Sequence, residues 1–141
     1  MTDYIFSWEK MLSFQGNTAP YLQNAYVRIR SIFRKAGEEG KTAGKSTTNQ
    51  IMLEATEERN LAAKLCQFAE IVPSVLNDFR PNVLANYLFE LANAFHAFYE
   101  ACPLLKSDEP ARSSRLSLCD LSGRVLEQGL GLLGIEVPER M

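Results

Sequence analysis

Apolar side chains recur every three or four residues along most of this chain, and the breaks in that rhythm divide it into helices. Leu22, Tyr26, Ile29, Phe33 and Ala36 fall within about 80° of arc at 100° per residue, which makes one buried stripe. Asn17-Thr18-Ala19-Pro20 precedes it, supplying a capping side chain and a proline in the first turn, where a missing N–H costs nothing. Gly37 can close this helix. A second helix is predicted from about Leu53 or Thr56 to Val72, burying Leu61, Leu65, Phe68 and Ala69, and Pro73 then begins a further turn carrying Val75, Leu76 and Phe79. Residues 82–101 repeat Leu84, Leu88, Leu91, Phe95 and Phe98 at helical spacing until Pro103 stops them.

Ser107 through Pro110 reads as a fresh cap, and a last helix is predicted from about Ala111 to Leu133. It is apolar on two sides, with Leu116, Cys119, Leu126, Leu130 and Leu133 on one and Leu118, Leu121, Val125 and Leu132 on the other. A helix with two apolar sides belongs near the middle of a bundle. Gly123, Gly129 and Gly131 interrupt it, each costing roughly 1 kcal/mol of helix propensity against alanine, and they let a neighbouring helix approach closely. Ahead of the first long helix, Ile5, Phe6, Trp8, Met11, Leu12 and Phe14 predict a short helix or turn lying on the core. Residues 37–50 hold three glycines and no large apolar side chain, which predicts an exposed loop. No run alternates with the period of a strand. The expected fold is all-α, a helix bundle.

Composition narrows this little. The 141 residues are 46% hydrophobic and 23% charged, values of an ordinary globular domain. No apolar stretch approaches the roughly 18–20 residues that span a bilayer, so no membrane partner is expected and the chain reads as cytoplasmic. Cys66, Cys102 and Cys119 are odd in number and lack CxxC spacing, which predicts small core fillers rather than a disulfide or zinc framework. His96, the one histidine, has no companion at ligand spacing and is expected on a polar face, with no metal site. No serine or cysteine has an evident base beside it, and no glycine-rich phosphate loop follows a strand, so no catalytic residue and no cofactor-binding residue is assigned. The net charge of −2 matters more. A chain that holds nucleic acid through bulk charge is usually basic, so any such binding here must rest on a local cationic patch and on shape.

Three segments carry a family resemblance. They are Asp3-Tyr4-Ile5-Phe6-Ser7-Trp8 running through Met11-Leu12-Ser13-Phe14-Gln15-Gly16-Asn17-Thr18-Ala19-Pro20-Tyr21-Leu22-Gln23, then Ala97-Phe98-Tyr99-Glu100-Ala101-Cys102-Pro103-Leu104-Leu105, and finally residues 129–141, GLGLLGIEVPERM. In order and spacing they resemble the C-terminal region of bacterial-type arginyl-tRNA synthetases, class I enzymes. The resemblance implies a helix bundle of the class I synthetase anticodon-binding type at residues 18–141, with residues 1–17 as a lead-in from a catalytic domain upstream. That domain would ligate arginine to its tRNA using ATP with magnesium, while the bundle grips the anticodon stem-loop of the arginine tRNA. The family's histidine-rich and lysine-serine loops have no counterpart here. Lys10-Met11-Leu12-Ser13 is superficially similar to the second, but it matches the lead-in. No cofactor is expected in this chain, and it should not aminoacylate alone.

RNA loops are read by stacking splayed bases on aromatic rings and bonding their edges, with cations on the phosphates. By its place in the Pro-Tyr-Leu-Gln motif, Tyr21 matches an aromatic position that the family sets near the anticodon. Asn24 stands where many relatives carry a second tyrosine, and an amide can bond a base edge without stacking. Tyr99 and the chain end, Arg140-Met141, are the other candidates that the resemblance implies. Arg28, Arg30, Arg34 and Lys35 form the densest cationic patch, and Arg28 and Lys35 share a flank with Tyr21. For the tyrosines the plain alternative is packing on a helix surface; for the cations it is a solvated face. Arg112, Arg115 and Arg124 are weaker phosphate candidates, and Arg124 can instead pair with Asp120. The competing function is a bundle that binds a protein helix in an apolar groove and no RNA.

Overall fold

The Thr18 hydroxyl accepts the backbone N–H of Tyr21 at 3.3 Å, and Pro20 lies in the turn that follows, so the first long helix starts where its capping residues stand. The computed structural model describes residues 5–40 and 51–141. Asp3, Tyr4 and the 41–50 part of the expected loop lie outside the described residues. Within them the order is α1 (Trp8–Met11), α2 (Ala19–Glu38), α3 (Thr56–Cys66), α4 (Phe68–Asp78), α5 (Pro81–Ala101) and α6 (Ala111–Leu132), with no strand. The all-α bundle is as expected.

The core forms where α2, α3, α5 and α6 meet. Leu22, Tyr26, Ile29 and Ala36 of α2 are buried as predicted, joined by Ala25 and Ile32, while Phe33 is only half-buried. All five predicted positions of α5 are buried, together with Tyr87 and Ala92. α6 packs against three helices, α2, α3 and α5. Its first stripe, Leu116, Cys119, Leu126 and Leu130, is buried, with Leu133 half-buried just past the helix end. Its second is used in part: Leu118 is buried and Val125 half-buried, whereas Leu121 and Leu132 face water. The glycines explain how close the packing is. A Cβ on Gly129 would stand 2.5 Å from a methyl of Leu88, and one on Gly123 would stand 3.2 Å from Ile29; at Gly131 it would meet nothing within 4 Å.

Several expectations fail for local reasons. The helix expected to run to Val72 breaks at Gln67, where tight i→i+3 bonds, Gln67 N–H to Lys64 O and Glu70 N–H to Gln67 O, replace the α-helical pattern. The break re-aims the apolar face, so Phe68, Ile71 and Val75 pack on the core and Ala69 is exposed. Pro73 sits inside α4 rather than opening a new helix. Phe79, expected to pack, ends α4 in a left-handed conformation (φ 52°) and is 87% exposed. α2 runs past Gly37 and stops before Gly40, whose φ of 64° suits a residue without a Cβ. Cys102 and Cys119 are buried fillers, but Cys66 ends α3 on its outer side and is exposed. No residue of α1 is buried: Ile5, Phe6, Trp8, Leu12 and Phe14 are all exposed. The lead-in is tied to the bundle by the amide of Asn17, which donates to Asn86 Oδ1 at 2.9 Å.

One buried charge pair joins three segments. Glu58 is 2% exposed, and its Oε1 accepts Arg115 Nε at 2.6 Å. Its Oε2 accepts the backbone N–H groups of Glu54 (2.7 Å) and Ala55 (2.9 Å). Arg115 in turn donates to Pro103 O (2.9 Å) and Ser107 Oγ (2.6 Å). Burial works to raise the pKa of Glu58, but the bonds from Arg115, Ala55 and Glu54 together outweigh it and hold the carboxyl below its ordinary value.

Breaking a buried pair strands the surviving charge, so Glu58→Ala is expected to cost about 3–5 kcal/mol of unfolding free energy in urea at pH 7. The folded-state pKa lies below the unfolded value of 4.5, so this contribution is complete above that pH and is lost as pH falls through the folded pKa. The gap between wild type and Glu58→Ala in urea titrations should therefore narrow on acidification. The glycines of α6 give opposite signs in the same assay. Gly129→Ala forces Leu88, itself fully buried, to move and should destabilise by about 1–3 kcal/mol. Gly131→Ala, with open space around it, should stabilise by up to about 1 kcal/mol.

Candidate nucleic-acid interface

The flank of α2 that carries Tyr21, Asn24, Arg28, Ser31 and Lys35 runs beside the C-terminal half of α5, and Tyr99 stands where the two meet. Tyr99 is 39% exposed. Phe95 stacks on it from the core side, with ring centroids 6.2 Å apart, and the Arg28 guanidinium lies over the ring at 5.7 Å. Beside it opens a cavity of about 480 Å³, lined by Asn24, Arg28, Ser31, Arg34, Tyr99 and Met141 among others. A second cavity, about 510 Å³, adjoins through the same tyrosine and takes in Lys35 together with the turn after α5. Of the residues assigned from sequence, Asn24, Arg28, Tyr99 and Met141 share the first cavity and Lys35 lines the second.

Tyr21 is placed differently. It is half-buried, and its hydroxyl donates to Asn93 Oδ1 at 2.6 Å and lies 3.0 Å from His96 Nδ1. Its ring packs against Phe89 and edge-on to His96, so the side chain is held against α5 and does not line either cavity. His96 is not on an open polar face as expected. It is half-buried at the α2–α5 seam because its position on α5 lies next to the core residue Phe95, and its Nε2 has no hydrogen-bond partner. Burial, then the nearby Arg28, lowers its pKa against the opposing pull of Glu100, which favours the neutral ring. Burial likewise raises the pKa of Tyr21, over the opposing effect of Arg28.

The chain end reaches the cavity by a defined path. Gly134 (φ 74°) turns the chain after α6, with Ile135 N–H donating to Leu130 O at 2.9 Å. Ile135 and Val137 pack on the core, Gln23 Nε2 donates to Glu136 O at 2.7 Å, and Arg34 donates to Glu139 O at 3.2 Å. Arg30 grips the Glu139 carboxylate with two bonds of 3.3 Å. These contacts lay residues 135–141 along α2 and set Met141 beside Arg34 and Asn24. The sequence shows that Gln23, Arg30 and Arg34 share a flank of α2; it does not show that the flank is a clamp for the tail.

Two groups of basic residues matter for this face. Arg30 and Arg34 hold the tail, Arg112 pairs with Glu109, Arg115 with Glu58, and Arg124 with Asp120 at 3.8 Å. Arg28, Lys35, Lys106 and the exposed Arg140 have no carboxylate partner among the described residues, and the first three line the two cavities. Despite the net −2, Arg28, Lys35 and Lys106 thus stand together around Tyr99. Among the described residues no group of His, Cys, Asp or Glu is arranged to hold a metal ion, and no helix is long and apolar enough to cross a membrane.

Comparison with known proteins gives one consistent result. The DALR anticodon binding domain family matches residues 22–141. The arginine–tRNA ligase of Cellvibrio japonicus is 53% identical over 141 residues, covering 99% of this chain and 24% of that protein. The ligase of Actinobacillus succinogenes is 51% identical over 140 residues, with the same shares. Among solved structures, Thermus thermophilus arginyl-tRNA synthetase superposes with a TM-score of 0.84 at 38% identity, over 96% of this chain and 23% of that one. The Plasmodium falciparum arginyl-tRNA synthetase does so with 0.87 at 32%, over 99% and 24%. The chain thus spans about a quarter of the length of these relatives.

The tail clamp can be tested without any ligand. Exposed ion pairs contribute little to stability, so Arg30→Ala/Arg34→Ala should cost less than about 1 kcal/mol. Backbone ¹⁵N order parameters of residues 138–141 should nevertheless fall below about 0.6 in the double variant. Unchanged order there would mean that Ile135 and Val137 anchor the tail unaided.

Proposed function

Because the chain belongs to the DALR anticodon binding domain family, in the form that arginine–tRNA ligases carry, we propose that it is the C-terminal domain that grips the anticodon stem-loop of the arginine tRNA for such a ligase. The observation that carries the residue-level reading is the cavity at Tyr99: an aromatic ring, an amide and a thioether beside Arg28, which has no carboxylate partner among the described residues, with Lys35 and Lys106 in the adjoining cavity. A base splayed from the loop enters between Met141 and the Arg28–Tyr99 pair, since guanidinium planes and aromatic rings both stack bases. The Asn24 amide meets its edge, and Arg28, Lys35 and Arg140 face the phosphates. Tyr21 acts one step removed, fixing α2 against α5 so that Asn24 and Arg28 face Tyr99.

Ligation itself belongs to the part of the relatives' length that this chain does not span. ATP and magnesium would be used there, by the whole enzyme, to activate arginine. Residues 1–17 are read as the lead-in from that catalytic domain, and the exposed Phe6, Trp8, Leu12 and Phe14 as surface that packs against it. A cytoplasmic site of action follows from the same reading. A bundle that binds only protein helices is not favoured by the family to which the chain belongs.

Fluorescence anisotropy with a labelled arginine anticodon stem-loop tests this. Binding should weaken steeply between two salt concentrations, since phosphate contacts release counterions. Tyr99→Ala should weaken it roughly 5- to 150-fold, the equivalent of about 1–3 kcal/mol for one stacked base, with Tyr99→Phe close to wild type. Equal binding of a scrambled loop, together with no effect of Tyr99→Ala, would sink the assignment.

A further inference from the structure

The second cavity is not needed to seat one base, yet its construction suits another. It meets the first at Tyr99, and its inner wall is apolar, formed by Ile32, Leu104 and Leu105. At about 510 Å³ it is in the range of small-molecule sites. Three charged groups line it: Lys35, Lys106 and Glu100, none of them ion-paired among the described residues. Two unpaired lysines suit a phosphodiester. The carboxylate is the unexpected member, because beside an RNA backbone it repels. Its presence in the lining makes chemical sense where it accepts from the N–H groups of a base edge.

We infer that this cavity receives a second base of the same RNA loop, neighbouring the one seated beside Asn24 and Met141. Tyr99 is the partition between the two bases, Glu100 accepts from the edge of the second, and Lys35 and Lys106 hold the phosphate that links or follows it. This rests on the RNA-binding reading given above and adds a subsite to it. The occupant is a nucleotide rather than a partner helix because the cavity shares Tyr99 with the first one and carries two lysines that suit a phosphate.

The sign of one substitution separates the alternatives. Glu100 and Lys106 are both exposed, so Glu100→Ala and Lys106→Ala leave the bundle intact, which thermal melts would verify. Removing a carboxylate that merely sits near RNA tightens binding. If Glu100 bonds a base, Glu100→Ala instead weakens binding of the 141-residue chain to the stem-loop, by roughly 5- to 30-fold. The same titrations are then run on stem-loops made abasic at each loop position in turn. The Glu100→Ala effect is expected to vanish at one abasic position, and that of Asn24→Ala at the adjacent one. Tightening by Glu100→Ala, or coupling of both variants to one position, would overturn the second subsite and leave the first standing. If the stem-loop binds no better than a scrambled one, both readings fall together.

Discussion

The Glu58 carboxylate is almost wholly removed from water, and that state is tolerable only because every bond it makes is to a charged or backbone donor. Through it the start of α3, the body of α6 and, by way of Arg115, the turn at Pro103–Ser107 are fixed relative to one another. That turn follows directly on α5 and forms part of the second cavity. Tyr99 stands four residues before Pro103, so the ion pair holds the turn that forms the cavity wall next to it. Hydrophobic burial drives the helices together but is non-directional. The buried pair adds direction, holding one turn in the place where the cavity needs a wall.

Charge is distributed with the same economy. A chain of net −2 cannot attract RNA as a whole, and most of its described arginines are committed to internal partners. Three of the cations left over, Arg28, Lys35 and Lys106, line the cavities at Tyr99, where short-range contact matters more than the long-range field. Arg30 and Arg34 contribute indirectly. By holding the tail they bring Met141 to a cavity that would otherwise open to solvent on that side.

What could be read from the sequence follows the range of the interactions concerned. The stripes of α2 and α5 were legible because helical periodicity is local, and the cap at Thr18 because capping spans three residues. The break at Gln67 was not legible, since an unbroken apolar rhythm runs across it. The exposure of Leu121 and Leu132 depends on which neighbours reach α6, information that no periodicity holds. At the site, the family resemblance implied Asn24 and Tyr99, and the cationic run on the same flank pointed to Arg28. Lys106, Glu100 and the Tyr21–Asn93–His96 cluster join residues far apart in sequence or on different elements, so no spacing announced them. The tail clamp was hidden for the same reason, because Gln23 and Glu136 lie 113 positions apart.

The lead-in holds the chain's single tryptophan, and Trp8 is 70% exposed, clear of both cavities and packed edge-on to Phe6. Indole emission from this protein is therefore an optical signal of what touches the lead-in, separate from whatever occupies the Tyr99 cavities. Red-shifted light marks a wet indole, and a blue shift marks its burial against another surface. One chain thus carries a built-in lamp for the docking of its apolar face, while Tyr99, whose ring emits at shorter wavelength, stands where RNA would be held.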